Sequence, residues 1–176
     1  PVYQRVVDEF VRRAGRVRVG LPLEERTHMG PQAHAEQLAK TLSYVEIGRK
    51  EGADLVAGGR RLSEGELADG YFVEPTVFAG VRNDMRIARE EIFGPVAALI
   101  PFDGEDEAVA LANDTAYGLA AGLWTGDVGR ALRVSSRIEA ASGETAFSLL
   151  IVRSPCGSGP TSSRTRCATP GRTWRS

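Results

Sequence analysis

From Val96 to Ile138 the chain alternates two kinds of segment, and this alternation limits the possible folds more than any other feature. "VAALIPF" (96–102) is a continuous apolar run, the pattern of a strand covered on both faces. Asp103 and the "EDE" after Gly104 place negative charge where the next helix, expected over about 105–112, has its positive dipole end. "LAAGLWT" (119–125) is a second mostly apolar run, closed by Gly126. Asp127 can cap a last helix through Ile138, with Val128, Ala131, Leu132 and Val134 as its apolar members. Strand, helix, strand, helix predicts an α/β fold with a parallel sheet and covering helices.

The upstream segments fit that class. Val2, Val6, Val7, Phe10, Val11 and Ala14 recur at helical spacing, so 2–14 reads as an amphipathic helix. "RVRVG" (16–20) alternates like a very short strand, and 21–32 is a loop broken by Pro22, Gly30 and Pro31. Ala35, Leu38, Leu42 and Val45 form one face of a second helix over about 33–51, with Gly52 as its stop. "DLVAGG" (54–59) predicts a short buried strand, and 61–70 a polar loop. "YFVEPTVFA" (71–79) has strand composition, but Pro75 lacks a ladder donor, which predicts an edge or a broken strand.

Charge divides the chain. All 23 acids lie between Asp8 and Glu144, whereas 153–176 carries five arginines and no acid. That tail is Ser, Thr, Pro, Gly and Arg, and cannot bury enough surface to offset ordering entropy. The expected organisation is one partial domain over 1–140 and an atypical, disordered tail over 141–176. The tail has two readings: a flexible basic tail, or the product of a frameshift near Ala140, since its composition is what a GC-rich gene gives when read in the wrong frame. A net charge of −1 gives no general attraction to nucleic acid or membrane, and no apolar run is long enough to span a bilayer. The first ten residues have no signal-peptide pattern and read like the inside of a longer protein. Cytoplasm is the expected compartment. Cys156 and Cys167, ten residues apart, fit no usual zinc spacing, and His28 and His34 have no ligand partners patterned beside them, so no metal site is expected.

The candidate site is "AREEIFGPV" (88–96). No glycine-rich phosphate loop and no Ser-His-Asp order is present. The pair Glu90 and Glu91 has three readings. The two acids can be solvated residues before a turn. They can do acid/base work, although adjacent residues point apart and make no dyad by themselves. Or a carboxylate can accept two ribose hydroxyl hydrogen bonds, with Phe93 lying against a flat ring, Gly94 permitting close approach and Pro95 fixing the turn.

"GYFVEPTVFAGVRNDMRIAREEIFGPV" (70–96) and "NDTAYGLAAGLWTGD" (113–127), in that order and spacing, resemble the aldehyde dehydrogenase superfamily. The likeness runs from about residue 2 to about Ala140, and is to the NAD(P)-dependent enzymes of free aldehydes rather than to acyl-CoA-forming relatives. It implies an incomplete parallel-sheet catalytic domain with an irregular C-terminal tail. It implies NAD or NADP as cofactor, with Glu91 binding the nicotinamide-side ribose and Phe93 lying against the nicotinamide region. The implied reaction oxidises an aldehyde to a carboxylic acid: a cysteine attacks the aldehyde, hydride passes to the cofactor, and a glutamate-activated water hydrolyses the thioester. The resemblance places that cysteine, that glutamate and the Rossmann domain ahead of this chain, so no catalytic residue is expected within it and the isolated chain is expected to be inactive. Cys156 and Cys167 do not occupy the nucleophile motif. "ASGETAFSLLIV" and the arginine-rich tail replace the family's usual continuation. The resemblance implies a small-molecule aldehyde as partner and homo-oligomeric full-length relatives. The alternative is a non-catalytic degenerate fragment or a small α/β ligand-binding or interaction domain.

Overall fold

A computed structural model describes residues 2–118 and 120–140, and the backbone of 150–152. Helix α1 spans Val2–Ala14 and buries Val7. Its Tyr3 hydroxyl donates to the Leu99 carbonyl (3.0 Å) and accepts from the Gly80 amide (2.6 Å), tying the helix to the sheet. Helix α2 spans Ala35–Lys50 and buries Leu38, Thr41, Tyr44, Val45 and Gly48, a repeat of three or four residues. His34 caps it, its Nδ1 accepting from the Gln37 amide.

Strand β1 (Asp54–Ala57) lies antiparallel to β4 (Thr76–Ala79), and β5 (Val96–Ala98) lies parallel to β4 on its other side. Between them β2 (Arg61–Leu62) pairs antiparallel with β3 (Phe72–Val73). Every residue of β4 is buried, and Phe78 at its centre is 0 % exposed. Around it pack Tyr44, Val45, Ala53, Val81, Met85, Ile87 and Ile92. Gly48 makes this possible: a Cβ there would lie 2.9 Å from Phe78 and 3.1 Å from Ile87. Helix α3 (Arg86–Arg89) is one turn, its first amide held by the Glu51 carboxylate at 2.8 Å. Helix α4 spans Glu105–Asn113, β6 is Gly122–Trp124, α5 is Val128–Ser135 and β7 is Leu150–Val152. The last pair of strands is parallel.

The α/β class is as expected, and 71–79 is a strand broken at Pro75. Several expectations are corrected. The sheet is mixed rather than parallel, because the chain between β1 and β4 folds back as a short excursion through β2 and β3 instead of crossing over as a helix. β5 and β6 do not share a sheet among the described residues. Residues 16–20 form no strand, only a single bridge between Val19 and Met29. The 61–70 loop contains β2 and a 3-10 turn at Gly65–Leu67. The run 96–102 supplies a strand only over Val96–Ala98, and it is half-buried rather than covered on both faces. Asp127 does cap α5, accepting from the Arg130 amide, but the helix ends at Ser135 rather than Ile138, and of its apolar members Val128 and Leu132 are exposed. The tail expectations for 141–176 lie outside the described residues, apart from the backbone of β7.

Candidate cofactor-binding corner

Where α3 ends, the chain turns through 90–95 and enters β5. Glu90 terminates the helix in an extended conformation. Ile92 anchors the turn in the core. Phe93 follows with a positive φ of 54°, uncommon for a residue with a side chain, and its ring is 66 % exposed. Three elements hold this shape. From α2, Gln37 donates through its side-chain amide to the carbonyls of Ile92 (2.9 Å) and Phe93 (2.8 Å). From β4, the Thr76 amide donates to the Pro95 carbonyl (2.8 Å). Gly94 presses against α2, where a Cβ would sit 2.5 Å from the Thr41 hydroxyl.

The two adjacent carboxylates are used in opposite ways. Glu90 turns inward. Arg86 donates to both its oxygens, each at 2.9 Å, and the Tyr44 hydroxyl donates to Oε2 at 2.5 Å. The Arg86 guanidinium first, and the Tyr44 hydroxyl second, hold the Glu90 carboxyl down to about 2. The Tyr44 hydroxyl is pushed above its ordinary value by the same hydrogen bond to Glu90. Glu91, next in sequence, is half-buried and makes no hydrogen bond or ion pair among the described residues. Lys40 stands between the two sides of the corner, its Nζ 5.8 Å from the Tyr44 ring centre and 5.3 Å from that of Phe93.

This geometry tests the three readings for Glu90. Its carboxylate is engaged by Arg86 and Tyr44 of the protein itself, and no second carboxylate is paired with it among the described residues, so Glu90 has a structural use that none of the three readings gives it. Sequence reasoning left Glu90 without a role, although the Arg86–Glu90 spacing of four on a helical turn was a visible signal. It also missed Gln37, Lys40, Thr41 and Tyr44, which share one face of α2 by their spacing of three, four and seven. Glu91 and Phe93 lie two residues apart, both at the surface of the turn.

An unengaged carboxylate beside an exposed aromatic ring fits a ribose with a flat ring attached: the oxygens can accept from vicinal hydroxyls, and the phenyl offers an apolar face. The corner can bind and orient; it holds no nucleophile. Behind it, between α1 and the sheet, lies an apolar recess of about 370 Å³ walled by Phe10, Val17, Pro75, Val77, Pro95 and Val96. His28, whose Nδ1 accepts from the Arg18 amide, and His34, the α2 cap, are both structural. No helix among the described residues is long and apolar enough to cross a membrane.

Known proteins resemble this chain closely. The acetaldehyde dehydrogenase 2 of Cupriavidus necator is 52% identical over 140 residues, which are 79% of this chain and 28% of that protein. The structure superposes on a betaine aldehyde dehydrogenase variant of Staphylococcus aureus in complex with NAD+ at a TM-score of 0.76 and 36% identity, covering 79% of this chain and 28% of that one. It superposes on a Mycobacterium tuberculosis aldehyde dehydrogenase complexed with NAD+ at 0.74 and 42% identity, with the same coverage. This chain thus spans about 28% of the length of these relatives. Residues 1–145 match the aldehyde dehydrogenase family as a whole. With the sequence, the fold and the family match in agreement over four-fifths of its length, the chain belongs to the aldehyde dehydrogenase family.

Proposed function

We propose that this chain forms one wall of the NAD(P)+ site of an enzyme that oxidises an aldehyde to a carboxylic acid. The observation that carries the reading is the contrast at 90–91: Glu90 accepts three hydrogen bonds from protein donors, whereas Glu91 accepts none among the described residues and stands next to an exposed Phe93. Glu91 accepts from the hydroxyls of the nicotinamide-side ribose, and Phe93 lies against the nicotinamide region and keeps water from that face. When bound, NAD(P)+ supplies the hydride acceptor. The Gly94–Pro95 turn presents both residues in a fixed relation. On this reading neither Cys156 nor Cys167 is the nucleophile of the reaction, and the isolated chain is inactive. The family portion gives way near Ala140 to a tail read in another frame, which the coding DNA tests: another frame there must continue a family-like sequence.

The test of the site is titration of the purified chain with NAD+ and NADP+, followed by ligand-observed NMR, for the parent and Glu91→Gln. Saturable binding that weakens about tenfold in the variant, the scale of a lost charge-assisted hydrogen bond, is expected. Equal binding by both would reject Glu91 as the ribose ligand. In parallel, NAD(P)H absorbance is followed with short and long aldehydes. Turnover by the parent chain would reject the claim that the nucleophile lies elsewhere.

A further inference from the structure

We infer that Arg86, Glu90 and Tyr44 act as a positioning clamp, which fixes the Glu91–Phe93 corner in its ligand-ready shape before any cofactor arrives. The inference rests on the assignment of Glu91 and Phe93 to the cofactor, and extends it to residues that do not touch the ligand.

The corner needs such a device. Phe93 holds a left-handed backbone, a strained conformation for a residue with a side chain that persists only where the surroundings enforce it. Gln37 restrains the turn through the Ile92 and Phe93 carbonyls. Those bonds fix the backbone after residue 91 but not the direction in which it leaves α3. Glu90 supplies that. Its backbone amide closes the last helical bond to the Arg86 carbonyl at 2.9 Å, while its side chain is bound by Arg86 from the same turn and by Tyr44 from α2. In extended backbone successive side chains point to opposite sides, so holding the Glu90 side chain on Arg86 and Tyr44 fixes the opposite side for Glu91. Lys40 extends the arrangement, standing over the Tyr44 ring on one side and the Phe93 ring on the other. Arg86 likewise lies 5.5 Å from the Tyr44 ring centre. The two acids of the "EE" pair thus have separate roles. The first is bound by the protein itself, and the second makes no hydrogen bond or ion pair among the described residues.

The experiment uses the full 176-residue chain and two mild variants, Glu90→Gln and Tyr44→Phe, with Glu91→Gln as the direct-contact control. Two readouts are taken together: NAD+ affinity by NMR titration, and hydrogen exchange at two amides. Val96, bonded to the Gly94 carbonyl, reports the corner, and Leu99, bonded to the Phe78 carbonyl, reports the sheet. Both clamp variants are expected to speed Val96 exchange and weaken NAD+ binding, each about tenfold, while Leu99 is unchanged. Glu91→Gln is expected to weaken binding while leaving Val96 exchange at the parent rate. Clamp variants that bind NAD+ like the parent, or leave Val96 exchange unmoved, overturn the inference. So does an equal rise at Val96 and Leu99, which would make the triad general stabilisation. If Glu91→Gln binds as well as the parent, or the parent does not bind at all, the cofactor reading fails; the exchange arm still shows whether the clamp orders the corner, but its link to a ligand is then lost.

Discussion

Two regions of this molecule hold together by different means. From α1 to β5 the apolar residues close on one another: Phe78 is enclosed by α2, α3 and the turn at Ile92, and all four residues of β4 are buried. From α4 to α5 only Ala108, Val109 and Val134 are buried among the described residues. There the elements are joined mainly by charge. Glu105 pairs with Arg130 at 2.7 Å and Arg133 at 2.9 Å, and Asp106 with Arg137 at 2.8 Å. Trp124, Val128 and Leu132 face outward. Both regions contain apolar runs and helices with apolar faces. What separates them is whether a partner surface is at hand, and burial rather than pattern sets stability. The candidate corner sits on the closed region, so its geometry is carried by the better-packed half.

The largest effect is expected at the centre of that half. Phe78→Ala removes a fully buried ring and should cost about 3–5 kcal/mol, enough to unfold a marginal domain. Urea unfolding followed by circular dichroism measures it. A loss below about 1 kcal/mol, the scale of a surface change, would show that the Phe78 cluster is not the principal core.

Next comes the close approach at the corner. Gly94→Ala places a methyl carbon 2.5 Å from the Thr41 hydroxyl, and overpacking of this kind costs about 1–3 kcal/mol. Thr41→Ala in the same chain should recover part of that loss, because the clash and the substitution share one site. A double-mutant cycle in chemical unfolding tests it. Strict additivity would show that the helix and the turn shift apart instead of colliding.

These two sites also show what could be read in advance. The helices are legible because their signals are local: valines at 2, 6 and 7, or Leu38 and Val45, lie within a few turns of each other, although Thr41 and Tyr44 rather than the expected Ala35 and Leu42 complete the buried face of α2. The break at Pro75 was legible for the same reason. Strand direction was not. Whether β1 runs with or against β4 depends on a two-residue pairing between Arg61–Leu62 and Phe72–Val73, too short to leave a pattern. Glu91 and Phe93 were singled out from a motif and the chemistry of a carboxylate beside a ring. Half of the role of Glu90 is legible, since Arg86 lies four positions before it on a helical turn; the other half is not, because Tyr44 is 46 positions away and no spacing rule reaches that far.

A smaller effect separates Glu90 from its neighbour by pH. The folded carboxyl is held at about 2 against an ordinary 4.5, so its pairing stabilises the fold fully above about 4.5 and is lost as pH falls toward 2. The two groups bonded to it, Arg86 and Tyr44, are both pushed above their ordinary values and keep their protons throughout that window. Glu9, held to about 2 by Arg12 and Arg13, titrates over the same range, but its contribution is common to parent and variant. The urea midpoints of the parent and Glu90→Gln should therefore differ by a constant amount from about pH 5 upward and converge as pH falls. A difference that widens toward acid would contradict the clamp geometry.

The smallest effect on stability is expected where the open region faces solvent. Leu132 is 67 % exposed and Val128, one turn earlier on the same face of α5, is 75 % exposed. Removing an apolar side chain that is already in water forfeits almost no transfer free energy, so Leu132→Ser should change the unfolding free energy by no more than about 0.5 kcal/mol. The same substitution interrupts the apolar pair that Leu132 makes with Val128 on the exposed face of α5. Such a surface associates with others like it. Light scattering of the parent chain should therefore rise with concentration more steeply than that of Leu132→Ser, while their unfolding curves coincide. If instead Leu132→Ser costs as much as a core substitution, α5 buries that face in solution, and the contrast between a closed and an open region disappears.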